Sequence, residues 1–145
     1  MKKSLFLFIL CIFTLSCEKQ DPTEQLQHLS GYWEIDRVEF SEDSVKEYSM
    51  SPYVDYLHLE GKNGIRKKVQ PHFDGTFTVT NNNEKVEARI ENDSLRLYYK
   101  TPYSSWKETV LSAEENKLSL LTADGVIYYY NKYEPIDVTA DEKEE

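Results

Sequence analysis

The stretch GYWEIDRVEF, residues 31–40, combines the alternation of a β-strand with one break in that alternation. Successive side chains of a strand point to opposite faces, so Trp33 and Ile35 share one face. Val38, the next aliphatic residue, falls on the opposite face. A change of face within one strand requires an extra residue in the ladder. The stretch therefore predicts a first strand with a β-bulge or sharp bend near residues 36–37.

Short alternating runs separated by turn residues continue from this strand to Pro135. In SLRLYYK, residues 94–100, Leu95, Leu97 and Tyr99 fall on one face. Asp-Gly and Asn-Asp pairs between the runs are typical of hairpin turns. Eight or nine strands can be counted from residue 31, and closing such a meander removes its unpaired edges. The sequence predicts an all-β fold, a small antiparallel up-and-down β-barrel of eight to nine strands.

The tripeptide Gly31-Tyr32-Trp33 stands at the head of the first strand. A Gly-x-Trp in that place, before about eight antiparallel strands, resembles the lipocalin-like branch of the calycins over residues 29–134. The resemblance implies that Gly31 lets the chain bend closely into the barrel. It also implies that Trp33 plugs the closed end beneath a basic side chain of the last strand, because tryptophan offers apolar area and a face that attracts cations. That side chain would be Lys132, where lipocalins usually have arginine.

Two features depart from the lipocalins. The Thr-Asp-Tyr motif that precedes their seventh strand is absent, and the domain is shorter. The resemblance is therefore to small bacterial lipocalin-like lipoproteins, and it does not imply a deep retinoid-type pocket. Avidin-like and fatty-acid-binding barrels share much of the strand pattern, and Trp33 as a plain core residue would give the same tripeptide.

The N-terminus resembles that of a bacterial lipoprotein. Lys2 and Lys3 precede an apolar run, residues 5–15, which suits a signal peptide and is too short to cross a membrane as a stop-transfer helix. The run ends in TLSC, residues 14–17, which resembles a lipobox with threonine where leucine is usual. The resemblance implies a diacylglycerol and palmitate-type acyl chains on Cys17, at the outer membrane of a Gram-negative cell envelope. The alternative is an unmodified thiol after an ordinary cleavage site.

Composition along the chain predicts four segments. The signal peptide covers residues 1–16, and the polar stretch 17–28 is the lipidated N-terminus and tether. The barrel domain covers residues 29–135. The strongly acidic stretch 136–145 lacks aromatic residues and is expected to be a disordered tail. No useful helical periodicity follows the signal peptide, although SEDSVKEYSM, residues 41–50, could form one helical turn.

Tyrosine is frequent, with eleven residues in the chain. Tyr128 and Tyr130 share a face of one predicted strand, and Tyr99 lies on the inner face of another. Together with Trp106 they are the candidate lining of a cavity whose aromatic walls and hydroxyls hold an amphipathic ligand. The alternative is cross-strand aromatic packing without a cavity.

Other functions lack support in the sequence. A net charge of −9 argues against nucleic acid, and the basic cluster at residues 66–68 is best explained as a solvated strand edge. His28, His58 and His72 lack the spacing of a metal site, and no cofactor loop or catalytic arrangement is recognised. We therefore expect a monomeric, non-enzymatic protein without cofactor or metal, bound to the membrane through its lipid.

Two functions remain. The first is a lipoprotein that binds or carries a small hydrophobic or amphipathic molecule such as a lipid. The second is an envelope accessory protein whose barrel core is filled and which acts through its surface. A cavity of about 300 Å³ or more that opens at one end would favour the first.

Overall fold

The computed structural model describes residues 19–41 and 43–135. The predicted signal peptide at 1–16, the predicted lipidation site Cys17 and the predicted tail at 136–145 lie outside these residues. The described chain contains one helix and nine strands: α1 (Pro22–His28), β1 (Gly31–Ser41), β2 (Ser44–Glu47), β3 (Val54–Glu60), β4 (Asn63–Pro71), β5 (Phe77–Glu91), β6 (Ser94–Lys100), β7 (Ser105–Ala113), β8 (Lys117–Thr122) and β9 (Ile127–Lys132). Over the same ranges, no helix has the length and apolar character needed to cross a bilayer.

Eight of the strands form a closed antiparallel barrel. Their order is β1-β3-β4-β5-β6-β7-β8-β9, and β9 pairs back onto β1. The additional strand β2 pairs with the second half of β1, whereas the first half of β1 pairs with β3. The predicted all-β up-and-down barrel of eight to nine strands is therefore confirmed.

The first strand contains the bulge that its sequence predicts. The register of β1 against β9 shifts between Ile35 and Arg37, so Asp36 is the extra residue. Beyond the bulge Val38 returns to the inner face, where it is buried and lines the same recess as Trp33 and Ile35. The single strand β1 thus contributes inner side chains on both sides of the bulge.

Apolar side chains fill the half of the barrel where β1 begins, which we call the closed end. The inner face of β6 shows this well, because Leu95, Leu97 and Tyr99 are almost fully buried, as their alternation predicts. The inner residues of β5, β7 and β8 complete this core: Val86, Ala88, Val110, Ala113, Leu118 and Leu120. The closed end is therefore a packed core without room for a ligand.

The prediction of a tether at residues 17–28 is wrong over its second half, where α1 packs on the barrel. Asp21 caps the helix, because its carboxylate accepts hydrogen bonds from the main-chain N–H groups of Thr23 and Glu24. Pro22 suits the first turn, which needs no N–H donor. Gln25 is buried and donates to the Leu111 carbonyl at 3.2 Å. The segment is ordered because α1 docks on the barrel, and composition does not predict this docking.

The helical turn considered for residues 41–50 is also wrong. Residues Ser44–Glu47 form β2, an edge strand that pairs with β1. All four of its side chains are exposed, so main-chain hydrogen bonds hold the strand and no buried face marks it in the sequence.

An irregularity in the β4–β5 hairpin shapes the other end of the barrel. Lys67 pairs with Asn83 and Val69 with Val79, so three residues of β5 oppose one residue of β4. Beyond this point the hairpin bends, and Phe77 stacks on Tyr32 of β1 with ring centroids 4.8 Å apart. The looped-out residues of β5 are left at the rim of the barrel.

Candidate functional site

A tryptophan, a lysine and a glycine meet at the closed end. Lys132 Nζ lies 4.3 Å from the centroid of the Trp33 ring and donates a hydrogen bond to the Ser30 carbonyl at 3.0 Å. The Trp33 indole N–H donates to the Leu29 carbonyl at 2.8 Å. Gly31 has a φ of +148°, and a Cβ there would lie 2.2 Å from Lys132 Nζ. The three residues that the Gly-x-Trp resemblance groups are thus in contact, and they form a structural plug.

The opposite end, which we call the mouth, carries two adjoining recesses. The aromatic recess has a volume of about 250 Å³ and is lined by Trp33, Ile35, Val38, Tyr48, Ser51, Tyr53, Asp55, Lys68, Tyr128 and Tyr130. The polar recess has a volume of about 240 Å³ and is lined by Tyr53, Asp55, Arg66, Lys68, Thr80, Asn82 and Glu84. Three residues belong to both: Tyr53, Asp55 and Lys68. An apolar wall and a polar wall therefore face one shared entrance.

Charged side chains run from this entrance into the barrel. At the rim, Lys68 Nζ lies 2.9 Å from Asp55 Oδ1, and the lysine side chain is 64% exposed. Deeper, Arg66 Nε lies 2.6 Å from Glu84 Oε2 and its Nη1 lies 3.3 Å from Glu108 Oε2. The Glu108 side chain is only 8% exposed. Three carboxylates thus meet two cations along the path from solvent to core.

The floor beneath these charges is aromatic. The Arg66 guanidinium lies 4.1 Å from the centroid of the Tyr99 ring, and Tyr99 stacks on Trp106 with centroids 5.3 Å apart. The Tyr99 hydroxyl is buried and has no hydrogen-bond partner among the described residues. A buried hydroxyl without a partner is costly. Within residues 19–41 and 43–135, the other buried side-chain nitrogen and oxygen atoms have hydrogen-bond partners, which makes this position notable.

Burial and charge set the protonation of the cluster. Burial raises the pKa of the Glu108 carboxyl above its ordinary value, and the Arg66 charge only partly opposes this. Burial lowers the pKa of Arg66, but Tyr99, Glu108 and Glu84 outweigh it, so the guanidinium keeps its charge. Burial also raises the pKa of the Tyr99 hydroxyl well above its ordinary value, so this group stays neutral. The floor of the mouth therefore holds a fixed cation next to a carboxyl that readily takes up a proton.

The structure divides the four predicted pocket residues into two pairs. Tyr128 and Tyr130 stack with centroids 6.5 Å apart and line the aromatic recess. Tyr99 and Trp106 form the floor under Arg66 and line neither mouth recess. They contribute instead to the lining of a groove of about 780 Å³ on strands β4 to β7. The two pairs thus line different recesses, and their role in binding stays a prediction.

That groove lies on the outer surface of the barrel. It includes Lys85, Lys100 and Lys107, whose positions alternate with the inward Val86, Tyr99 and Trp106. The three lysines are exposed and form no salt bridge with a described residue. The groove therefore combines exposed lysines with an apolar lining that includes Val86, Tyr99 and Trp106, and it shares no lining residue with the two mouth recesses.

The protein is a closed eight-stranded antiparallel barrel with a tryptophan and a lysine stacked at one end and an open mouth at the other. The fold is lipocalin-like. A lipocalin-like protein from Bacteroides uniformis superposes with a TM-score of 0.47 at 10% identity, covering 73% of this chain and 99% of that one. An uncharacterized protein from Bacteroides eggerthii gives a TM-score of 0.47 at 10% identity, covering 72% and 99%. No family model and no curated protein matches the chain.

The charged residues of this lipocalin-like barrel are the part of the site that sequence reasoning missed. Arg66 was expected on a solvated edge with its neighbours, but its side chain is 16% exposed and points inward. A usable signal existed in β7, where alternation puts Glu108 on the same face as Trp106 and Val110. An acidic residue in the inner phase predicts an interior partner of opposite charge, since unpaired carboxylates are almost never buried.

The lipocalin-like mouth suits binding of a small molecule with an apolar and a polar part. Rings of Tyr128 and Tyr130 offer apolar contact, while Asp55 and Lys68 offer both signs of charge at the shared entrance. No set of three or more His, Cys, Asp or Glu side chains placed to hold a metal is found within residues 19–41 and 43–135.

Proposed function

We propose that the protein is a lipid-anchored lipoprotein of the Gram-negative cell envelope whose barrel mouth binds a small amphipathic molecule. The observation that carries the binding role is the junction of the aromatic and polar recesses at Tyr53, Asp55 and Lys68. A ligand seated there contacts tyrosine rings with its apolar part and the charged pair with its polar part. The role is one of binding and not of catalysis.

The size of the recesses limits the ligand. Each recess is about 250 Å³ or less, which is smaller than most pockets for drug-sized molecules. The closed end beneath is filled by the core, so a long chain has no space to enter. The proposed ligand is therefore a short amphipathic molecule, or the end of a longer one that protrudes from the mouth.

The membrane anchor is proposed from the sequence. The positive residues, the apolar run and the cysteine at position 17 support cleavage by a lipoprotein signal peptidase and acylation of Cys17. Labelled palmitate should be incorporated into the wild-type protein and not into Cys17→Ala. The variant should also leave the membrane fraction; a variant that stays membrane-bound would contradict the anchor.

Native mass spectrometry tests the binding role. The mature chain carrying Cys17→Ala is purified from its own host without detergent, and its mass is compared with that of the polypeptide. We expect a retained small-molecule adduct, lost in Tyr128→Ala because that ring lines the aromatic recess. Tyr103→Ala is the matched control, since Tyr103 is 96% exposed and lines neither recess. The absence of an adduct on the Cys17→Ala chain that keeps Tyr128 would contradict ligand binding.

The accessory role without a ligand is favoured by one observation. The interior below the mouth is filled by Tyr99, Trp106 and the Arg66 ion pairs, as expected of a barrel that is only a scaffold. The same experiment separates the two roles, because a scaffold would keep no adduct and would not depend on Tyr128.

A further inference from the structure

The route of the chain between the proposed lipid and the barrel fixes which end of the barrel faces the membrane. From Lys19 onward, the described residues are bound to the closed end. Lys19 Nζ donates to Ser94 Oγ at 3.0 Å, and the Gln20 side chain donates to the Ala113 carbonyl at 2.6 Å. The Ala113 N–H returns a hydrogen bond to Gln20 Oε1 at 3.0 Å. Gln20 therefore completes a two-bond clamp on the end of β7.

The clamp continues into α1. The helix packs on β5, β6 and β7, and its Gln25 is 2% exposed. Leu26 packs against the core, and Leu29 is fully buried within it. Most lipoprotein tethers are flexible because polar residues bury little area; this segment is bonded and buried at several points, so it moves with the barrel.

The bound residues lie at the closed end. Ser94 is the first residue of β6 and Ala113 the last residue of β7. Cys17 precedes Lys19 by two residues, and two Cα–Cα steps span at most about 7.6 Å. The Cα atom of Cys17 therefore lies within about 8 Å of the Cα atom of Lys19, whatever path those two steps take, and the lipid is attached near the closed end.

The mouth lies at the other end of the strands. The nine residues of β7 run from Ser105 beside the mouth to Ala113 at the closed end. At about 3.3 Å per residue and a barrel tilt of about 40°, this places the mouth roughly 20 Å farther from the anchor along the barrel axis.

We propose that the closed end of the barrel rests on the bilayer and that the mouth opens away from it, toward the aqueous phase. This proposal rests on the lipid anchor of the proposed function. Its consequence is that the mouth exchanges ligand with the aqueous side or with a protein partner, and does not extract lipid from the leaflet in which the protein is anchored.

Fluorescence resonance energy transfer from a dye on the protein to a labelled lipid in the membrane tests this orientation. The lipidated full-length protein is reconstituted into phosphatidylcholine vesicles that contain an acceptor-labelled lipid. Zwitterionic lipid is chosen because Asp21, Glu24, Asp93 and Glu114 surround the exit point and repel anionic headgroups. Cys11 is removed with the signal peptide and Cys17 is acylated, so an introduced cysteine is the one free thiol in the mature sequence.

Donor dyes are placed at Glu115→Cys, in the β7–β8 turn at the closed end, or at Tyr103→Cys, in the β6–β7 loop at the mouth. Both side chains are exposed. Because about 20 Å separate the two ends, we expect roughly twofold more transfer from position 115 than from position 103. Equal transfer, or more transfer from position 103, would overturn the orientation.

Two controls separate the possible failures. A flexible Gly-Ser insertion before Lys19 should remove the difference between positions 115 and 103, because the barrel is then free to turn. Incorporation of labelled palmitate reports the anchor independently. Lipidated protein with equal transfer contradicts the orientation alone, whereas protein without lipid contradicts the anchor.

Discussion

At the scale of single residues, the closed end depends on a glycine that no other residue can replace without strain. A φ of +148° is rarely adopted by residues with a side chain, and the space where a Cβ would go is occupied by Lys132 Nζ. The glycine therefore allows the ammonium to sit over the Trp33 ring. Gly31, Trp33 and Lys132 act as one structural unit, which explains the spacing of the Gly-x-Trp tripeptide physically.

Replacing Gly31 by alanine should destabilise the protein by about 1–3 kcal/mol, because it adds backbone strain and displaces Lys132. Urea unfolding followed by the fluorescence of Trp33, in a Trp106→Phe background, measures the loss. Gly61→Ala is the matched control, since Gly61 also has a positive φ but has open space around its Cα. We expect the control to cost less and to leave the native emission of Trp33 unchanged. Equal effects of the two variants would argue against the close contact with Lys132.

The buried carboxyl of Glu108 should make stability depend on pH. Its folded-state pKa is raised above the ordinary value of 4.5, so the folded protein holds this proton to higher pH than the unfolded chain does. The stabilisation from this proton is fully present below the unfolded pKa and is lost as the pH rises through the folded pKa.

Comparison with Glu108→Gln isolates this effect, because glutamine keeps the shape and does not titrate. The stability of the wild type relative to the variant should fall as the pH rises from about 4.5, measured by urea unfolding at a series of pH values. A relative stability that grows with pH would show that the Arg66 ion pair dominates and that the pKa of Glu108 is lowered.

At the scale of secondary-structure elements, the strands could be predicted and the helix could not. Alternation is strong in β6 because one of its faces is buried, and the break in β1 predicted its bulge. By contrast, α1 has seven residues with little apolar periodicity, and its stability comes from docking onto β6 and β7. Asp21-Pro22 is a typical helix start that the sequence did offer. β2 has no buried face and so leaves no pattern.

Alternation alone also does not predict that charged side chains point into the barrel. The strand register of β4 against β5 shifts at the irregularity near Val69 and Val79. Whether the side chains of Arg66 and Glu84 face inward depends on this register, which the sequence does not reveal. The plug at the closed end was predictable because Gly31 and Trp33 lie two positions apart in the sequence and Lys132 lies at the end of the last strand.

The docking of α1 makes a prediction at the element scale. Gln25→Ala removes the hydrogen bond to the Leu111 carbonyl and leaves a small void, at a cost of about 1–3 kcal/mol. Gln27→Ala is the control on the same helix, because Gln27 is exposed and should change stability by less than about 0.5 kcal/mol. Thermal unfolding of both variants measures the difference. Similar stabilities would contradict a docked helix and with it the clamp at the closed end.

At the scale of the whole molecule, the closed barrel has one end filled by the core and one open end. The filled end supplies stability and receives the N-terminal segment, while the open end presents the two recesses. Among the described strands β2 is an edge, and its short length and exposed Lys46 and Glu47 discourage pairing with another chain. That the protein is a monomer stays a prediction.

We infer that a small amphipathic molecule binds at the mouth, and not at the closed end or in the outer groove. The most direct measurement is an NMR titration of the isotope-labelled mature chain carrying Cys17→Ala with dodecylphosphocholine below its critical micelle concentration. We expect amide shifts to saturate and to cluster at the residues lining the two recesses, including Val38, Asp55, Tyr128 and Tyr130. An unchanged spectrum, or shifts confined to Lys85, Lys100 and Lys107 in the outer groove, would contradict the claim.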